Sequence, residues 1–423
     1  MRVFSSRILQ RCAHGAAVVL ASSAPFGFFV RQPTGPQETV LAADDDDDPA
    51  DRRRSIVRQT WNLEGARGCS IHKVSIDLPG LTVLQTDSDA APPGSLGVVE
   101  IAADSADLLG CVDVKAVPPT ELQIQFRQDD DGTCKALRGR LLTSLTLSRA
   151  QQVNSLAING GGTAVVADGV LVTDAPQSRL SITHNATGDA LMQIKDRVHV
   201  GELELKTSGE GQLHFLAEDG LILGRVALLA SINTGLLHVA TRWIETPLLR
   251  LDVFGGRTTT LTATADDPEA IKAGKIKHRI IGEGEINIIG RGTTKIHRAT
   301  VIGGDSKIDA RGIVAHDASL ESFCEATMIT GITPDAKTRT RGIGGTLKTE
   351  LSGGETSSDA TTASMPPKSP ETPSFPTAEQ LVPSALYAND ATIVTEESAT
   401  DKEAAHRKKG VLFLYNEACR LGM

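Results

Sequence analysis

Leu180-Ser-Ile182, Leu203-Glu-Leu205, Ala227-Leu-Leu229 and Leu249-Arg-Leu251 are apolar pairs whose members stand two residues apart. Leu156-Ala-Ile158 precedes them, and the steps between first members are 24, 23, 24 and 22 residues. A second series keeps the same interval: Leu213 and Phe215 shift by 24 onto Leu237 and Val239, and Gly211 onto Gly235. Farther on, Ile280-Ile-Gly282 and Val301-Ile-Gly303 lie 21 apart. Alternation of period two puts each pair on one face of a strand. A repeat of about 20 to 24 residues stacks those faces, because no coil can bury its own apolar side alone. The spacing predicts an all-β chain whose centre is a β-helix, a solenoid with inward columns of Leu, Ile and Val. At about 4.8 Å per coil, roughly nine coils between residues 121 and 335 would form a rod about 40 Å long.

Composition agrees with a narrow, layered core. Aromatic residues are 3% of the 423, with only Trp61, Trp243, Tyr387 and Tyr415 besides phenylalanine, while glycines number 40. A broad globular interior draws on more large rings. The net charge is -9, and no basic stripe of the kind that tracks nucleic acid stands out along the chain. Nucleic acid is therefore not an expected partner.

The ends differ from the centre. Arg2, Arg7 and Arg11 precede an uncharged stretch over 15–30, with small residues at Ser22, Ser23 and Ala24. This pattern predicts a signal peptide over 1–24, or a mitochondrial presequence, which shares its Arg-rich, acid-poor character. Residues 25–54 have the composition of a linker: Asp44 to Asp48 are consecutive aspartates, followed by Pro49 and Arg52-Arg-Arg54. A Ser/Thr/Pro-rich tail over 336–405 lacks the apolar area to offset chain entropy and is expected to be disordered. A short basic segment over 406–423 closes the chain. No stretch reaches the roughly 18 apolar residues of a membrane span. The solenoid is thus expected over 55–335.

The strand–Gly–x–Gly–strand units resemble a known family. Leu203-Glu-Leu-Lys-Thr-Ser-Gly-Glu-Gly-Gln-Leu213, Ile280-Ile-Gly-Glu-Gly-Glu-Ile-Asn-Ile288 and Val301-Ile-Gly-Gly-Asp-Ser-Lys-Ile308 are similar to repeats of the auto-transporter adhesin head, the GIN domain. Trp61-Asn-Leu and Val74-Ser-Ile-Asp-Leu-Pro-Gly-Leu-Thr-Val83 look like that family's first strand pair, so the resemblance covers roughly 60–315. It implies a right-handed β-helix, export to the cell surface and an adhesive role without established catalysis. The chain departs from the repeat at Ser231-Ile-Asn233, where corner glycines are missing, and over 264–277, where an insert breaks the count.

Candidate chemistry is sparse. Asp174, Asp196 and Asp219 are 22 and 23 apart, and if stacked would lie on the order of 5 Å from one another. Such a column could share a calcium ion or serve a carbohydrate-active enzyme on acidic polysaccharide. Aspartate is equally a preferred turn residue. His214 and His238 lie 24 apart between inward apolar residues and are expected to be solvated on the outside, too few to hold a metal. Cys111 and Cys134 flank one irregular segment and are the first choice for a disulfide if the compartment is oxidising. Asn185-Ala-Thr187 is a glycosylation sequon with an allowed middle residue, placed after a strand. No nucleophile elbow, zinc-protease helix or phosphate loop occurs, and no cofactor is expected.

These readings lead to a secreted or surface-exposed, non-enzymatic binding module with a cell-surface or glycan ligand. The alternatives are the β-helical enzyme using the aspartate column, and an organellar structural protein if the N-terminus is a presequence.

Overall fold

A computed structural model describes residues 28–31, 37–40, 55–65, 69–88, 94–127, 134, 139–255 and 257–351. The signal-peptide reading, the acidic run and residues 352–405 of the Ser/Thr/Pro tail lie outside them, as does the basic segment, whereas 336–351, expected to be disordered, are largely strand.

The described residues begin with an antiparallel cap. β1 (Phe28–Arg31) and β2 (Gln37–Val40) both pair with β3 (Ser55–Gly65), so two pieces of the expected linker are strand. β4 (Lys73–Asp77) and β5 (Leu81–Thr86) are the first solenoid strands. β6 (Ser95–Ala103) then returns to lie between β3 and β9 (Leu141–Leu147), antiparallel to each. Helix α1 (Ala106–Gly110) starts where the Ser105 hydroxyl accepts from the Leu108 N–H, a standard N-cap. β7 (Val112–Val117) follows and caps β8 (Glu121–Phe126) in antiparallel fashion. Covering both ends of the first layer in this way protects edge strands that would otherwise pair with other chains.

Chain order and layer order differ here. β4 lies between β8 and β10 (Ser155–Gly160), and β5 lies between β9 and β11 (Thr163–Val166). The coil over 121–147 is therefore outermost, below 73–86, and not the immediate neighbour of 155–166 that chain order would make it.

From β10 onward the coils are regular, about eight turns in all. The remaining strands are β12 (Asp174–Ala186), β13 (Ala190–Ile194), β14 (Val198–Thr207), β15 (Gln212–Ala217), β16 (Leu221–Ile232) and β17 (Leu236–Thr241). They continue as β18 (Ile244–Phe254), β19 (Thr258–Ala263), β20 (Ile271–Ile281), β21 (Gly284–Ile289), β22 (Gly292–Ile302), β23 (Ser306–Ser322), β24 (Ala326–Gly342) and β25 (Gly345–Leu351). Parallel pairing joins every second strand up to β23, while β22 to β25 also pair in succession, and coiling runs on past residue 335 to β25. Each long strand bends midway, with register shifts at positions such as Val200/Glu202 and Ile222/Val226. The bend divides the wall into three ladders: one from the second halves of the long strands, one from the short strands, and a third from the first halves.

The apolar columns follow this register. Val74, Leu156, Ile182, Leu205, Leu229 and Leu251 stack in successive coils, all fully buried. Leu156 thus sits beneath Ile182, 26 residues on, whereas the sequence spacing had placed it under Leu180. The later pairs keep the expected steps: Leu203 lies beside Ala227, Leu213 beside Leu237, and Ile280 beside Val301.

The missing corner glycines have a simple substitute. Asn233 (φ 60°), Gly255 (φ 93°), Gly282 (φ 90°) and Gly303 (φ 77°) occupy equivalent corners, all left-handed. Asparagine is the side chain that best tolerates this conformation. The insert is also shorter than expected: only 264–270 leave the wall, and Ile271–Lys277 belong to β20.

Candidate binding cleft

The loop over 264–270 is pinned to the coil beneath it. Thr264 and Ala265 donate their N–H groups to the carbonyls of Thr241 and Arg242, each at 2.9 Å. At its far end the Asp267 carboxylate accepts from the Glu269 N–H at 2.8 Å, the short-range turn that aspartate favours. The loop so held walls a depression of about 860 Å³ lined by Arg197, Asp219, Arg242, Trp243, Asp266 and Glu269 among others.

Trp243 is positioned from below. Gly220 occupies the equivalent site on the preceding coil, and a Cβ there would stand 2.5 Å from the indole Cε2. Its φ of 123° also suits glycine. Bare backbone therefore makes room for the ring, and the Arg197 guanidinium lies over it at 5.5 Å from the centroid, a cation–π distance. Arg197 in turn faces Asp219 across 3.5 Å. Trp243 remains partly exposed.

A second depression of about 450 Å³ adjoins the first along the bend of the third ladder. It is lined by Ile222, Leu223, Pro247, Gly274, Thr294 and His316, and it shares Glu245 and Lys272 with its neighbour. Together they form one cleft crossing several coils, with an aromatic, carboxylate-rich end and a more apolar end. The first depression carries five carboxylates (Asp219, Glu245, Asp266, Asp267, Glu269) against three cations (Arg197, Arg242, Lys272). A polyanion would meet a surplus of like charge there. A neutral polyol would find acceptors, donors and a ring on which to lie.

The aspartate column does not assemble. Asp196 and Asp219 share a register, because Val198 pairs with Leu221. Asp174, however, pairs with His199, three residues farther along, and its carboxylate is 3.5 Å from the His199 Nδ1. The coil below is offset by the same irregularity that put Leu156 under Ile182, so equal spacing in sequence did not mean equal position in space. Among the described residues no group of three or more His, Cys, Asp or Glu side chains could hold a metal ion.

His214 and His238 do pair across adjacent strands and alternate with core residues, as expected, yet they are not solvated. They are 4% and 1% exposed, with rings in a T-shaped arrangement at 5.7 Å. Outward position is not exposure here, since each ring is flanked by the stacked neighbours Leu191 and Thr260. His214 Nε2 lies 3.1 Å from Gln212 Oε1, and His238 Nε2 lies 3.3 Å from Thr262 Oγ1. Burial depresses the pKa of both, that of His238 to about 4.

Cys111 and Cys134 are bonded, with Cα atoms 5.6 Å apart, at the mouth of β7 beneath the cap. Asn185 is exposed near the end of β12 rather than on a turn, and its Oδ1 accepts from the Ser208 hydroxyl at 2.7 Å.

Sequence reasoning missed Trp243 as part of a site, counting it only among the few aromatic residues of the chain. The available signal was the coincidence of that tryptophan with the start of the one long insert, one coil later.

No protein-family model matches this chain, and no curated protein matches it. Among solved structures it is similar to a candidate adhesin from Parabacteroides merdae, with a TM-score of 0.41 at 13% identity, over 70% of this chain and 96% of that one. A candidate adhesin from Bacteroides fragilis gives 0.35 at 12%, over 70% and 97%. A candidate lipid-binding protein from Parabacteroides distasonis gives 0.40 at 10%, over 69% and 96%.

Proposed function

We propose that the protein is an exported, non-enzymatic binding module of the adhesin-head type, holding a neutral glycan in the Trp243 cleft. The observation that carries this reading is the partly exposed indole in a walled depression rich in hydrogen-bonding side chains. Aromatic rings accept the apolar faces of sugars, while Asp219, Asp266 and Arg242 suit hydroxyl groups. The adjoining groove would take further units of the chain. The reading as an enzyme on acidic polysaccharide loses its ground with the dispersed aspartates and the carboxylate surplus.

The Cys111–Cys134 bond supports an oxidising compartment and hence export. Exposed Asn185 is compatible with glycosylation on a eukaryotic secretory route. A glycosidase-sensitive mass shift that disappears in Asn185→Gln would test that route.

Glycan-array binding by the full chain tests the main reading. Retention of a neutral oligosaccharide without turnover, weakened at least tenfold by Trp243→Ala, is the expected result. Binding that survives this substitution unchanged would remove the cleft from the account.

A further inference from the structure

Register assembles a second surface that is scattered in the sequence. On the outer face of the first ladder, Lys277, Arg298, Ser319 and Arg339 stack in successive coils. Lys275, Ile296, Asp317 and Lys337 form the column beside it, and Arg341 stands next to Glu321 in the following one. Lys275, Lys277, Arg298, Lys337, Arg339 and Arg341 are all exposed. None of these six makes an ion pair among the described residues, and the two acids within these columns, Asp317 and Glu321, leave the columns four positive charges in excess. In a chain of net charge -9, that is a local reversal of sign.

An apolar row borders this face. Ile232, Phe254, Ile281 and Ile302 pair in succession at the corner where the first ladder ends. Phe323 and Ile343 continue the row, each one residue past the paired positions Val301–Ser322 and Ser322–Gly342. Exposure climbs along it from Phe254 onward: 2% at Phe254, then 40%, 58% and 77% at Ile302, Phe323 and Ile343. Besides Phe29, these three are the only large apolar side chains exposed among the described residues.

We propose that the C-terminal coils dock on an anionic lipid surface, with Phe323 and Ile343 entering the headgroup boundary and the basic columns facing the lipid charges. A soluble polyanion would account for the cations but not for the apolar row beside them. A purely apolar partner would account for the row but not for the cations. A charged lipid surface matches both, since interfacial binding combines buried apolar area with electrostatic attraction. This surface belongs to another ladder than the Trp243 cleft and stands independently of the glycan reading.

Flotation of the full chain with vesicles tests it. Phosphatidylcholine alone should retain no protein, and an about three-to-one mixture with phosphatidylserine should retain it, less so at high salt. Each cation near a charged leaflet contributes about fivefold in affinity, so Arg339→Gln with Arg341→Gln should weaken retention about 30-fold. Phe323→Ser with Ile343→Ser should weaken it about tenfold or more while leaving binding to heparin intact. Both pairs are exposed, so unchanged circular dichroism is expected and confirms folding. Failure of the unmodified chain to float with phosphatidylserine overturns the proposal. So does wild-type retention by the Phe323/Ile343 variant, which would mark the face as a plain polyanion site.

Discussion

His278 stands in the inward column above Leu251, and His297 in the next coil lies diagonal to it. Both rings are buried, and their Nε2 atoms are 2.7 Å apart. His297 Nδ1 lies 2.8 Å from Thr330 Oγ1, and that hydroxyl donates to the Ile313 carbonyl at 3.1 Å. The network assigns the protons: Thr330 accepts from His297 Nδ1–H, so His297 Nε2 accepts from His278 Nε2–H. His278 Nδ1 is left as a buried acceptor without a partner. Burial holds His278 well below the usual imidazole range and His297 at about 3. An unfolded histidine takes up a proton near pH 6.5, and the native pair does not. Their contribution is therefore whole above that pH and is lost as pH falls toward the native values, at about 1.4 kcal/mol per unit for His297. Tm should drop between pH 7 and pH 4.5, and His297→Gln should lower Tm at pH 7 while flattening that dependence. A Tm independent of pH over this range would contradict the buried pair. At Gly220, alanine would bring both an unfavourable φ and a collision with Trp243. We expect Gly220→Ala to cost about 1–3 kcal/mol in urea unfolding and to abolish glycan binding along with it.

The strand is the next unit of prediction. Phe215 on β15 is 1% exposed and is the largest of the fully buried side chains among the described residues. Truncation to alanine removes its packing against the coils above and below, and should cost about 3–5 kcal/mol in denaturant unfolding. A cost below about 1 kcal/mol would place Phe215 outside the core. The columns were legible in the sequence because their period survives wherever coils are uniform, from Leu180 to Leu251. It broke at Leu156, where a longer coil intervenes, and that error carried Asp174 into a column it does not occupy. His214 was assigned the correct side but the wrong exposure, since alternation tells which face a side chain takes and not how closely its neighbours stack. The cleft was hidden for a related reason: Asp266, Asp267 and Glu269 have the composition of any solvated turn until register puts Trp243 beneath them.

Across the whole molecule, the solenoid turns distant residues into neighbours, and both proposed surfaces depend on that. Lys275 and Lys337 are 62 residues apart in sequence yet belong to one column through Ile296 and Asp317, which is why no basic stripe stood out along the chain. The cap has the opposite logic, with antiparallel strands closing one end of a parallel stack. Glycan recognition at Trp243 can be followed directly, because the chain has two tryptophans and Trp61 is 6% exposed, set in the cap. Intrinsic fluorescence titrated with a neutral oligosaccharide selected on the array should shift saturably in the wild type and stay flat in Trp243→Phe. Saturable binding of that oligosaccharide with no change in wild-type tryptophan emission would contradict the account.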